Sequence, residues 1–159
     1  MYESETEVAM PWVYNDAGYK GSGFRYKHGN QVIIALAIAT DQRYTAVYHE
    51  IYRRQCDFVR KTRSKRIKER GAAIEDAGVW PQVSKQYLLD LGWTWTPVMA
   101  IGSGTTMHLA YDELPDEVLL ITSVSKNLVT VINGVAQTVS DPSRDGSRAV
   151  YGYWTPPQA

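Results

Sequence analysis

Eight consecutive apolar residues, Val32 to Ala39, form the longest hydrophobic run in the chain. A run that is apolar on every side carries no amphipathic period, so periodicity alone does not separate helix from strand. Its alanines and leucine favour helix, whereas its valine and isoleucines favour strand. We read it as a buried central helix with Asn30 near the N-cap. Thr40 and Asp41 stop it and are expected to cap a second helix. In that helix Tyr44, Val47, Tyr48, Ile51 and Tyr52 recur at i, i+3, i+4, i+7 and i+8, a good apolar face. Gly71 and Gly78 then break the chain. Pro81 can start a short helix that passes through Tyr87-Leu88-Leu89 to Leu91, with Gly92 as its stop.

From Trp93 the pattern changes to β. Trp93-Thr94-Trp95 alternates, and Pro97 followed by Gly102-Ser103-Gly104 reads as a loop. The stretch Thr106 to Tyr111 suggests one helical turn. Four β-rich segments follow, Val118–Ser125, Leu128–Asn133, Val135–Val139 and Ala149–Trp154. The first is nearly continuous in apolar residues, which implies burial on both faces. Asn133-Gly134 between two such runs is a type I′ hairpin signal, while Asp141-Pro142 and Arg144-Asp145-Gly146 mark the next turn. Helices first and an antiparallel sheet afterwards give an α+β class. Residues 1–28, rich in turn-formers such as Asn15-Asp16-Ala17-Gly18 and Gly21-Ser22-Gly23, read as an irregular arm. Trp12, Tyr14, Tyr19, Phe24 and Tyr26 would pack it against the domain formed by residues 29–159.

Composition narrows the function classes. A chain of 159 residues with 44% hydrophobic and 21% charged residues has the material for one folded core. Lys plus Arg and Asp plus Glu both number 17, so overall charge gives no reason to invoke nucleic acid or an anionic membrane. No apolar run is long enough to span a bilayer. The acidic start, Met1-Tyr2-Glu3-Ser4-Glu5, lacks the features of a signal peptide, so a cytoplasmic or virion location is expected. The single cysteine, Cys56, rules out an internal disulfide and a multi-cysteine metal site. His28, His49 and His108 have no ligand spacing, and no metal or cofactor is expected.

The charge distribution is less even than its total. Between Arg53 and Arg70 lie nine basic residues, opposed only by Asp57 and Glu69. The run reads either as a solvated, flexible arm or insertion or as an electrostatic surface for nucleic acid or an acidic protein. Arg60, Lys61, Arg63, Lys65, Arg66 and Lys68 are its candidate binding residues. Phe58 is the only aromatic within the run, which argues against a local single-strand stacking platform.

Several blocks in a fixed order carry a resemblance. They are Asn15-Asp16-Ala17-Gly18, Ala35-Leu36-Ala37-Ile38-Ala39-Thr40, Tyr87-Leu88-Leu89-Asp90-Leu91-Gly92-Trp93, Gly104-Thr105-Thr106-Met107-His108-Leu109, Val131-Ile132-Asn133-Gly134-Val135 and Val150-Tyr151-Gly152-Tyr153-Trp154. Over Val13 to Trp154 the chain resembles a family of bacterial and phage proteins with the papain-like cysteine-peptidase fold. Members carry Asp-Cys where this chain has Asn30-Gln31. A thiol there is activated by the helix N-terminus and by a histidine from the sheet. The position matching that histidine is Asn127, and the orienting residue would fall at Thr138 or Asp141. A Gln amide is no nucleophile and an Asn amide no general base. The resemblance therefore implies a degenerate, catalytically inactive site, with Gln31 and Asn127 expected to share an amide–amide hydrogen bond.

The implied function is a non-catalytic binding protein, phage-encoded, whose partner is a protein of a host defence system such as CRISPR or of the virion. Nucleic acid could also bind through residues 53–70. The alternative is an active cysteine peptidase or amidase with Cys56 as nucleophile. Cys56 lies late in the second helix, between arginines and with no histidine close in sequence. His108 is read as a packing or loop-bonding residue, and His49 is placed on the outer helix face.

Overall fold

The computed structural model describes residues 9–23, 30–99, 107–110, 112–143 and 147–158. Phe24, Tyr26, His28, Gly102-Ser103-Gly104, Thr105, Thr106, Tyr111 and Arg144-Asp145-Gly146 lie outside the described residues. The elements run β1 (Trp12–Tyr14), α1 (Gln31–Ala39), α2 (Tyr44–Lys61), α3 (Lys65–Arg70), α4 (Ile74–Ala77), α5 (Pro81–Asp90), β2 (Thr94–Pro97), β3 (Leu119–Val124), β4 (Asn127–Ile132), β5 (Val135–Thr138) and β6 (Gly152–Thr155).

The apolar run forms α1, and its start is where the sequence puts it. The Asn30 side chain accepts hydrogen bonds from the Val32 and Ile33 amides at 2.9 and 3.2 Å, so two otherwise unpaired helix donors are satisfied. Helix α1 is buried nearly all round because it packs on β3, β4 and β5 on one side and on α2 on the other. Ile33, Ile34 and Leu36 are fully buried, each contributing about 1.5–3 kcal/mol of transfer free energy. Thr130 of β4 ties sheet to helix by donating to the Ala35 carbonyl at 2.7 Å.

Thr40 and Asp41 end α1 but do not cap α2. The Thr40 hydroxyl donates back to the Leu36 carbonyl at 2.6 Å, and Asp41 takes a left-handed turn at φ 56°. The N-cap of α2 is Arg43, without a side-chain capping bond. Tyr44, Val47, Tyr48 and Ile51 of α2 face the core as expected, but Tyr52 is exposed, its ring stacked on that of Tyr48. The basic run is folded rather than a flexible arm: it forms the last three turns of α2 and all of α3. Gln55, fully buried, and Ile67 anchor it.

The sheet has six strands in the order β1-β5-β4-β3-β6-β2, antiparallel throughout except for β1 against β5. This is an α+β architecture with an open, mostly antiparallel sheet. Asn133 and Gly134 have φ of 51° and 79°, the double positive values that a type I′ turn requires. The supposedly irregular arm contributes β1, whose three residues pair with Ala136, Gln137 and Thr138. Trp12, Val13 and Tyr14 remain exposed there, while Tyr19 is buried. Residues 107–110 are not helical; His108 bridges Ala149 in antiparallel fashion. Both sheet faces are covered. The helices cover one, and a smaller core around Leu109, Leu120, Val129, Val131 and Val150 fills the other.

Candidate functional site

The chain that wraps from α3 to α5 is organised by one buried side chain. The Gln55 amide nitrogen donates to the Ala72 and Gly78 carbonyls at 3.0 and 3.1 Å, and its oxygen accepts from the Trp80 amide at 2.6 Å. Three backbone groups in irregular chain are thereby satisfied without water. Trp80 is fixed further by its indole N–H, which donates to the Gly71 carbonyl at 3.0 Å. Above its ring sit two guanidinium groups, Arg66 at 5.7 Å and Arg70 at 5.5 Å from the centroid, both within cation–π range.

A cavity of about 710 Å³ opens between these helices and one end of the sheet, within the size range of small-ligand sites. One wall holds Arg66, Arg70, Trp80 and Lys85. The facing wall holds Lys126 from the β3–β4 turn, Asn127 and Leu128 of β4, Trp95 of β2, and Tyr151 and Trp154 beside and within β6. Asn30 and Val32 bring the start of α1 to the same space. No carboxylate belongs to this lining among the described residues, and none of its four cations forms an ion pair there.

The opposite face of the basic run behaves differently. Glu50 pairs with Arg53 and Arg54, each at 2.7 Å, Arg54 also reaches Asp90 at 2.8 Å, and Asp57 pairs with Arg60 and Lys61. Hydrogen bonds from Arg53 hold the Glu50 carboxyl below its usual range, and Lys61 and Arg54 do the same for Asp57 and Asp90. A second cavity of about 370 Å³ lies among these matched charges.

No family model, curated sequence or solved structure matches the chain.

The four positions drawn from the papain-like resemblance fall out as follows. Gln31, at the first turn of α1, donates to the Leu128 carbonyl at 3.5 Å and accepts from the Thr138 hydroxyl at 3.3 Å. Positions 31 and 138 thus meet. The expected bond from Gln31 to Asn127 is not formed: the amide reaches past Asn127 to the next residue's backbone, and Asn127 lines the cavity instead. Asp141 is turned to its own loop, accepting from the Ser143 amide and hydroxyl at 2.9 Å.

Of the six candidate cations, Arg66 lines the large cavity. Arg60 and Lys61 are occupied by Asp57, and Lys68 donates to the Val59 and Arg60 carbonyls that end α2, both at 3.3 Å. Arg63 and Lys65 are exposed and belong to neither cavity. Cys56 is exposed on α2 and outside the large cavity; it lies beside the Tyr52 hydroxyl and raises its pKa. His49 is exposed, and His108 bonds Glu113 at 3.2 Å. Among the described residues no His, Cys, Asp or Glu group could hold a metal ion, and no helix is long and apolar enough to cross a membrane.

Lys85, Lys126, Trp80 and Trp95 were not singled out as binding residues by sequence reasoning, whereas the aromatic-rich end Tyr151 to Trp154 can be read as a source of interface anchors. Trp80 and Lys85 share the start of α5, and the others come from separate segments that no local pattern links. Gly152 carried a further usable signal. A glycine inside a β-rich run suggests close approach of another group, and the Trp95 ring occupies the space a side chain there would need.

Proposed function

We propose that this chain is a non-catalytic binding protein built on a degenerate papain-like scaffold. The observation that carries the reading is the bonding of Gln31. Its amide is engaged by a backbone carbonyl and by Thr138, so the place of a nucleophile is taken by a brace between α1, β4 and β5. An amide so held neither attacks a carbonyl nor abstracts a proton. Beside it the large cavity keeps cations, aromatic rings and amides, the vocabulary of recognition rather than of acid–base chemistry. Within the same proposal the partner would be a host-defence or virion component.

The Cys56 alternative supplies the test. An activated nucleophile needs a lowered pKa or an adjacent base, and Cys56 has a tyrosine hydroxyl as its neighbour. Alkylation by iodoacetamide at neutral pH is expected to proceed within about tenfold of the rate of free cysteine. Cys56→Ser should leave every binding activity intact. Rapid stoichiometric acylation of Cys56 by an activated thioester, followed by turnover, would establish an enzyme and end this reading.

A further inference from the structure

Nine cations lie between Arg53 and Arg70. Arg63, Lys65 and Lys68 lie outside the large cavity. Arg53, Arg54, Arg60 and Lys61, all on α2, are matched by Glu50, Asp57 and Asp90. Arg66 and Arg70 are not; they lie on Trp80 at the cavity wall, joined there by Lys85 and Lys126. Four like charges around one partly enclosed space repel each other, and the fold supplies no described carboxylate to offset them. The arrangement is electrostatically complementary to an anion of more than one charge. The helix end does not provide the anion site itself, because Asn30 already occupies the Val32 and Ile33 amides. Recognition falls to the side chains.

The anion would carry a flat apolar part. Tyr151 is 41% exposed at the mouth, and Trp95, half-buried, stands against Trp154 with ring centroids 5.1 Å apart. Asn127 adds an amide able both to donate and to accept. A phosphate-only ligand would have no use for aromatic walls. A purely acidic peptide such as poly-glutamate would use the cations but would leave the aromatic walls unmatched.

We propose that this cleft binds nucleoside phosphate units, with phosphates on Arg66, Arg70, Lys85 and Lys126 and a base against Tyr151 and Trp95. It rests on the binding reading above and names the ligand. Free nucleotide and single-stranded nucleic acid share this chemistry.

The test uses the full chain. A fluorescein-labelled oligothymidylate, ATP, AMP and a poly-glutamate peptide are titrated at low and moderate salt. Binding of nucleotide or strand is expected, with log K falling against log salt at a slope of about −2 to −3 for three or four phosphate contacts. Arg66→Glu with Arg70→Glu should weaken it at least tenfold. Arg53→Glu with Lys61→Glu, the same change in net charge on the far face, should weaken it less than threefold. Tyr151→Ala should lower strand affinity several-fold without changing the salt slope.

Because Arg66 and Arg70 also pack on Trp80, Lys126→Gly provides a variant that does not threaten the fold. Lys126 sits in a left-handed turn at φ 62°, a conformation that glycine adopts without strain. It should keep or raise the melting temperature while affinity falls about threefold or more. A strand that binds tenfold tighter than ATP identifies nucleic acid as the source, and equal affinity identifies free nucleotide. Either supports the cleft. No binding at millimolar nucleotide, equal losses in the two double variants, or poly-glutamate bound as tightly would overturn it. Hydrolysis of a bound nucleotide would instead overturn the non-catalytic reading and leave the site standing.

Discussion

Tyr44 joins α2 to the start of α1 at the edge of the cavity, and it does so through a buried hydroxyl. Its Oη accepts the Asn30 amide at 3.1 Å, and burial is the main reason its pKa is pushed up to about 12 from an ordinary 10.0. Tyr19 and Tyr48 stand close by and add to the shift. The folded state therefore holds this proton more tightly than the unfolded chain does. The stabilisation is complete below pH 10 and is lost as pH rises toward 12, by roughly 2–3 kcal/mol over that window. Urea unfolding at pH 9 and pH 11.5 should show the loss in the wild type and a smaller one in Tyr44→Phe. Equal losses in the two proteins would assign the alkaline instability to other groups. Tyr44 was legible in the sequence as a core position of an amphipathic helix, but its bond to Asn30 was not. Gln55 was less legible still. A glutamine in a helix rich in charges looks solvated, and only the backbone of residues 72–80, folded around it, gives its amide three partners.

Elements with a strong local signal stood where the sequence put them. Helix α1 has an N-cap and a continuous apolar body, the β4–β5 hairpin has Asn133-Gly134, and α5 has Pro81 at its first turn. Of the two edge strands, β1 lacks such a mark and β2 has only the alternation Trp93-Thr94-Trp95. Strand β1 is three exposed residues held by the free edge of β5. Strand β2 borrows its partner from β6, some sixty residues later in the chain. Pairing of that kind is decided by tertiary context, which a single sequence shows poorly. At the β2–β6 junction, Gly152 makes a prediction of its own. A Cβ there would lie 2.3 Å from the Trp95 ring and 2.7 Å from the Thr96 carbonyl oxygen. The ring tip could swing aside, but the carbonyl belongs to the paired strand and cannot. Gly152→Ala should therefore cost about 2–3 kcal/mol, near the upper end of overpacking penalties, in urea unfolding followed by tryptophan fluorescence. Stability equal to the wild type would mean that β2 is held less firmly than its pairing implies.

At the scale of the molecule, the site exists because distant segments are folded against one sheet end. Position 66 is separated from position 154 by most of the second half of the chain, and a chain neutral overall becomes strongly positive at one place. Linear reading saw the basic run but not its aromatic partners, since the rings arrive from α5, β2 and β6 rather than from within the run. The sheet that gathers them has two unequal coverings, and this asymmetry can be measured. Leu36 and Leu109 are both fully buried. Leu36 lies in a helix enclosed between the sheet and α2, where neither neighbour can close a void without moving a whole element. Leu109 lies in irregular chain, held by main-chain bonds between Leu109 and Arg148 at 2.8 Å and between Val150 and Met107 at 3.0 Å. Such a covering can settle by local adjustment. Truncation of a buried leucine costs about 2–5 kcal/mol, and the amount depends on how far the cavity collapses. Leu36→Ala should fall near the top of that range and Leu109→Ala near the bottom, measured by urea unfolding of both variants under the same conditions. If Leu109→Ala proved the costlier change, the irregular covering would be as rigid as the helical layer. The sheet would then be clamped equally on both faces.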